Sequence, residues 1–116
     1  MFNFEKLLVW QKSISFNRKV YEISLKFPKE EVFGITSQLR RASISISSNI
    51  AEGSGRKSAK EFKRFLSIAY GSVCEAISIL KICLDLKYIS DAKHNDLYNE
   101  LQEVAKMLSG LSDSKL

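Results

Sequence analysis

Two apolar stripes on a single helix-length segment constrain this chain more than any other feature. Phe62, Leu66, Ala69, Val73, Ala76, Leu80 and Cys83 step by four and three residues, the spacing of one helical face. Phe65, Ile68, Ile79, Ile82 and Leu86 form a second row beside them. An ordinary amphipathic helix hides one side, and a helix with two stripes needs cover on two. The rest of a 116-residue chain can cover one side, and a second subunit can cover the other. The start of this helix is marked by Ser58 followed three residues later by Glu61, the pattern of a capping box. Gly71 in its middle costs about 1 kcal/mol relative to alanine, so it is expected to mark a close helix contact.

Three further segments repeat the periodicity. Leu97, Leu101, Val104, Leu108 and Leu111 form the seam of a last helix, with Ser90 as its N-cap and Asp91 in its first turn. Val9, Phe16, Val20, Ile23 and Phe27, with Trp10, Ile14 and Tyr21 alongside, form a first helix that ends before Pro28. Pro28, Glu30 and Glu31 then suit the opening turn of another. The stretch "SISIS" alternates with period two and in isolation suggests a strand. In a wider window Ile35, Leu39, Ala42, Ile46 and Ile50 step by four and three, and no other strand is available as a partner. A helix is therefore expected from about Glu31 to Ala51, with Gly53 as its C-cap. Four helices with short connections imply an all-α, antiparallel up-down-up-down bundle in one domain spanning residues 1–116.

Several function classes are disfavoured. The longest uncharged runs, Phe65 to Cys74 among them, have ten residues, too few to span a membrane. The N-terminus has Glu5 and no signal-peptide pattern, so a cytoplasmic protein is expected. Cys74 and Cys83 lie nine residues apart on one helix, about 13 Å along its axis and on opposite sides, so they cannot pair. Both read as small core residues. With one histidine in the chain no Cys/His metal site is expected, and no cofactor is implied. His94 reads as a half-exposed surface residue. "EGSGRKS" fails the phosphate-loop spacing and lacks a preceding strand. No serine sits in a nucleophile motif, and Glu52 has no second carboxylate near it in sequence, so it reads as a partner for an arginine. No enzymatic activity is expected.

Charge is the remaining candidate for function. Residues 1–58 hold 10 Lys/Arg and 5 Asp/Glu, whereas residues 59–116 hold 8 of each. Residues 56–64 alone carry five basic groups and one acid, and residues 90–113 carry a net charge of −3. Lys60, Lys63 and Arg64 share a helix face, Arg56 and Lys57 sit at its mouth, and Arg40 and Arg41 lie on the preceding helix. Such a patch suits phosphate contacts, with the first amides of the third helix as further donors, although no aromatic stacking motif is evident. A solvated face, or ion pairs with an acidic neighbour, explains the same charges equally well.

The blocks "FGITSQLRRA" and "SNIAEG", together with "LLVWQKS", closely resemble the family encoded by intervening sequences inside bacterial large-subunit ribosomal RNA genes. The likeness covers nearly the whole chain. It implies a four-helix bundle assembled as a ring-like homopentamer without established enzymatic activity. A proline is common in that family where this chain has Ser47, so a less kinked late turn of the second helix is expected. The family is also similar to the accessory protein of diversity-generating retroelements, a basic pentamer that binds reverse transcriptase and nucleic acid. Carried onto this chain, the resemblance implies Arg40, Arg41, Arg56, Lys57, Lys60, Lys63 and Arg64 as a repeated basic surface for RNA or RNA/DNA. The alternative is an interaction scaffold that docks a protein partner.

Overall fold

The computed structural model describes residues 1–114. Four helices carry most of them: α1 (Leu8–Ser24), α2 (Ile35–Ser54), α3 (Ala59–Asp85) and α4 (Asp91–Ser114). Short 3-10 turns at Asn3–Lys6 and Lys29–Glu31 precede α1 and α2, and no strand occurs among the described residues. The helices α1 and α3 each pack against both α2 and α4, giving a body of 43 × 23 × 22 Å. This all-α arrangement is consistent with a four-helix bundle.

The stripes seen in the sequence meet in one core. Phe16 and Val20 of α1, Leu39, Ile46 and Ile50 of α2, Leu66, Val73 and Leu80 of α3, and Leu97, Leu101, Val104 and Leu108 of α4 are all essentially inaccessible. Each such side chain contributes about 1.5–3 kcal/mol by leaving water. Phe27, beyond the end of α1, joins this core as well. By length and composition α3 could cross a membrane. Here ten of its residues are buried in the protein, the pattern of a core helix.

Small residues bring α2 close to α3. Ser45 and Ser72 share a hydrogen bond of 2.8 Å between their hydroxyls. Nearer the corner, a Cβ placed on Gly53 would lie 2.6 Å from the Phe65 Cβ and 3.1 Å from the Phe62 Cδ1. Gly53 is thus a close-approach glycine inside the last turn of α2, and the C-cap is Gly55. The helix runs on past the expected end at Ala51 because the packing on α3 continues to Gly53. "SISIS" is helical throughout, and Ser47 returns its hydroxyl to the Ile44 carbonyl at 3.0 Å.

The start of α2 is later than the expected Glu31, for a local reason. Pro28 caps the separate 3-10 turn, and α2 begins beyond Gly34, which has no side chain to cap it. Glu31 acts instead. Its carboxylate accepts the Ile35 N–H at 3.2 Å and the Tyr88 hydroxyl at 2.9 Å, tying the start of α2 to the α3–α4 connection. The bond to Glu31 raises the Tyr88 phenol above its usual range.

Ion pairs link α1 to α4. Lys12 meets Glu103 at 2.7 Å, and Lys19 meets Glu100 at 2.5 Å and Asp96 at 3.4 Å. The Glu100 carboxylate holds the Lys19 ammonium above the ordinary lysine range. That contribution is complete below the ordinary range and fades as pH rises through the raised value.

Three expectations need correction. Gly71 marks no close contact, since its missing Cβ faces open space two positions off the buried stripe. Cys74 is exposed because it follows Val73 around the helix, and only Cys83 is buried. Burial pushes the Cys83 thiol up to about 11. His94 is 4% exposed, because it continues the Leu97–Leu101 seam one step toward the N-terminus. Its ring stacks on Tyr98 with centroids 5.9 Å apart, and its Nε2 has no hydrogen-bond partner among the described residues.

The two glycines should respond oppositely to alanine. Gly53→Ala forces α2 off Phe65 and should cost about 1–3 kcal/mol. Gly71→Ala should stabilise by about 1 kcal/mol. Urea unfolding of the two variants beside the wild type measures both.

Candidate nucleic-acid interface

The corner between α2 and α3 is built by its caps. Gly55 ends α2 in ordinary helical geometry, and the Arg56 N–H returns to the Gly53 carbonyl at 3.0 Å. Three residues later Ser58 begins α3, accepting the Glu61 N–H at 3.1 Å. This is one half of the expected capping box. The Glu61 carboxylate turns instead to Arg64, at 3.1 Å from its Nε and 3.4 Å from its Nη2.

Two of the predicted arginines are held by this local chemistry. Arg56 pairs with Glu52 at 2.9 Å, the role expected of that carboxylate. Arg56 and Arg64 both lie over the ring of buried Phe65, 4.8 and 4.7 Å from its centroid. One core phenylalanine therefore anchors two guanidinium groups at the surface. Arg64 holds the Glu61 carboxyl below the usual carboxylate range, and Arg56 and Lys60 add to the effect. Lys57 and Lys60 are exposed and Lys63 is half-buried, and none of the three forms an ion pair among the described residues. Five cations thus face two carboxylates, Glu52 and Glu61, leaving the corner at +3.

The predicted patch is not continuous. Thirteen residues separate Arg41 from Ser54 along α2, about 20 Å of helix. Arg40 faces α1, where it donates to the Ser24 hydroxyl at 2.9 Å and covers the Tyr21 ring at 4.5 Å. Arg41 borders a recess with Ser45 and with Glu75 of α3. These two arginines stand apart from Arg56, Lys57, Lys60, Lys63 and Arg64, and they face different neighbours. Helical rise alone separates them, however close the residues look in a linear motif.

Beside the corner is an open cleft of about 450 Å³. Its walls include Arg56, Lys57 and Ser58 on one side and Asn3 and Leu7 of the N-terminal segment on the other. The N-terminal wall was missed in the sequence. Nothing in the pattern of "MFNFEKL" singles out Asn3 and Leu7 for that role. Among the described residues no group of three His, Cys, Asp or Glu side chains is placed to hold a metal ion.

Fold and site together define a four-helix, all-α protein with a cationic corner. The chain belongs to the 23S rRNA-intervening sequence protein family, whose model matches residues 5–110. It is also similar to the crystal structure of a protein of unknown function from the S23 ribosomal protein family of Bacteroides thetaiotaomicron. That likeness has a TM-score of 0.84 at 24% identity and covers 90% of this chain and 98% of that one. At this identity the likeness bears on the fold. No curated protein matches the sequence.

The Glu61–Arg64 pair has a directional consequence. Its contribution is present above the ordinary carboxylate range and is lost as pH falls through the depressed value of Glu61. Carbon-detected NMR titration should place Glu61 below the ordinary carboxylate range. Arg64→Gln should move it back up; an unchanged Glu61 titration in that variant would contradict the pairing.

Proposed function

We propose that this chain is a non-enzymatic, cytoplasmic nucleic-acid-binding protein that grips RNA phosphates with the α2/α3 corner. Its helices form an antiparallel bundle, and the bundles assemble as a ring-like homopentamer. One observation carries the binding reading: five basic side chains converge on one helix corner, with two of them fixed over Phe65. Phosphate contacts require such a patch and no base-specific geometry. The first amides of α3 open at the same place, and they add a partial positive charge.

The antiparallel order is supported by the pairings across the helices. Gly53 meets Phe65 while Ser45 meets Ser72, and Lys12 meets Glu103 while Lys19 meets Asp96. The assembly reading is supported by the apolar side chains that the single chain leaves uncovered. Phe65 and Ile79 of the second α3 stripe are buried within the chain, but Ile68, Ile82 and Leu86 are exposed, as is Ile44 of α2. The number five comes from the family resemblance. Five corners in one particle would bind a long RNA by avidity, without any new contact.

A second reading, an accessory subunit that docks a protein such as a reverse transcriptase, is favoured by a different surface. Leu25, Val32 and Phe33 are all exposed around the α1–α2 connection, Phe33 at 95%.

The test is a fluorescence titration of a structured RNA at several salt concentrations. Wild-type binding should weaken steeply with salt, and Arg56→Glu/Lys60→Glu/Arg64→Glu should abolish it. Retained binding in that variant would remove the corner as the site. Light scattering should give about five times the 13.2 kDa chain mass. A stable monomer at micromolar concentration would defeat the ring.

A further inference from the structure

A recess of about 340 Å³ opens where the end of α1, the α1–α2 connection and the start of α2 meet. Leu25 and Val32 give it apolar walls, and they are 78% and 51% exposed. Its polar lining is Ser24, Lys29, Thr36 and Arg40, and no carboxylate lines it among the described residues. The basic corner contributes nothing to this recess, which lies at the other end of α2.

Arg40 is fixed here on two sides. The Ser24 hydroxyl accepts its Nε–H at 2.9 Å and donates its own hydrogen to the Tyr21 carbonyl at 3.3 Å. The guanidinium also lies over the Tyr21 ring, 4.5 Å from the centroid. These contacts occupy one edge and one face of a flat group. The other edge, with both Nη nitrogens, has no hydrogen-bond acceptor among the described residues, and Arg40 has no ion pair there. Arg56 and Arg64, by contrast, each have a carboxylate partner. Arg40 is thus a half-buried cation held in one orientation with its fork open.

Two parallel N–H groups in one plane match the two oxygens of a carboxylate. Because the fork is already oriented, little freedom is lost when the pair forms. Lys29 adds a second cation, and Thr36 adds a hydroxyl that makes no hydrogen bond among the described residues, although the residue is only 5% exposed. The apolar walls decide between the possible anions. A sugar-phosphate backbone would leave Leu25 and Val32 uncovered by anything apolar. Leu25 follows α1 and Val32 precedes α2, so an acidic residue with an apolar neighbour on each side covers both. The volume is at the small end for ligand sites and suits a few side chains.

We infer that this recess docks an acidic side chain of a partner protein, its carboxylate paired with the Arg40 guanidinium and its apolar neighbours laid on Leu25 and Val32. This rests on the accessory-subunit reading and names what the partner presents. The nucleic-acid reading of the corner is independent of it.

The probe is the end-blocked peptide Gly-Leu-Asp-Leu-Gly, whose only charge is the aspartate carboxylate. It is titrated by NMR into the isotope-labelled full chain. The Arg40 Nε–H signal and the Leu25 and Thr36 amides should move and saturate. Gly-Leu-Asn-Leu-Gly, which lacks the charge, and Gly-Ser-Asp-Ser-Gly, which lacks the apolar flanks, should each bind about tenfold more weakly or less. Arg40→Lys keeps the charge and loses the fork, and it should weaken the aspartate peptide about tenfold. Val32→Asp, at an exposed position that leaves the core intact, sets a repelling carboxylate on the wall and should abolish binding. Arg56→Glu/Lys60→Glu/Arg64→Glu should bind the peptide as wild type does. Equal binding of the aspartate and asparagine peptides overturns the carboxylate site but leaves an apolar docking surface, so the accessory-subunit reading stands. Oligouridine that displaces the peptide from the Arg40 signal at lower concentration than the peptide itself needs assigns the recess to phosphate and overturns the inference. Peptide binding that survives both Arg40→Lys and Val32→Asp lies elsewhere and also overturns it. If no peptide moves any signal of wild type, the inference falls, and the accessory-subunit reading loses this surface with it.

Discussion

The close approach of α2 to α3 is the contact on which the other features of this protein depend. Two helices can come this near only where side chains are small, and α2 presents Ala42, Ser45 and Gly53 toward that side of the core. The serine hydroxyls at the contact are satisfied by each other or by the helix backbone, so their burial leaves no orphaned donor. At the end of the contact Gly53 admits Phe65 where a methyl group would clash. Once Phe65 is seated, the chain must turn within the few residues from Ser54 to Ser58, and everything carried by that turn is fixed in space.

What the turn carries is charge. Arg56 and Arg64 come from opposite sides of the α3 start, yet both guanidinium groups rest over the same buried ring. Their carboxylate partners, Glu52 and Glu61, are one helical turn away on their own helices. Exposed pairs of this kind add little stability. Their effect is to hold the guanidiniums in defined positions at the surface, while Lys57 and Lys60 extend into solvent. The core and the candidate interface thus meet at Phe65, and the corner's geometry follows from packing rather than from the charges themselves.

Much of the fold was legible along the chain. The seam from Leu97 to Leu111 and the stripe from Phe62 to Cys83 are long, so periodicity overrides local ambiguity, and even "SISIS" is resolved by the wider window. The N-caps at Ser58 and Ser90 were readable because a cap depends on residues three apart, and both accept the expected N–H. Errors gathered where a side chain's environment comes from another helix. His94 looked like a surface residue until the seam was extended by one step. Cys74 and Gly71 lie on faces of α3 that the helix turns away from the core. Gly53 looked like a cap because a glycine near a helix end usually is one, and only the position of Phe65 gives it a different role. The basic site was half legible: its corner cluster is local in sequence and was found, whereas Arg40 and Arg41 were grouped with it although they lie about two-thirds of α2 away.

The sequence by itself determined that this chain makes four helices, which faces they bury and that positive charge collects between the second and third. These are properties of spacing and composition within single segments, and helical geometry converts them directly into faces. Tertiary structure alone decided which charges stand together and what stands beside them. It moved Arg40 onto Tyr21 and Ser24, set Arg56 and Arg64 over one ring, and brought Asn3 and Leu7 of the N-terminal segment to the basic corner. The physical reason is that helical periodicity repeats within a few residues, whereas a site is made by contacts between different segments of the chain, and their meeting is set by how the whole core packs.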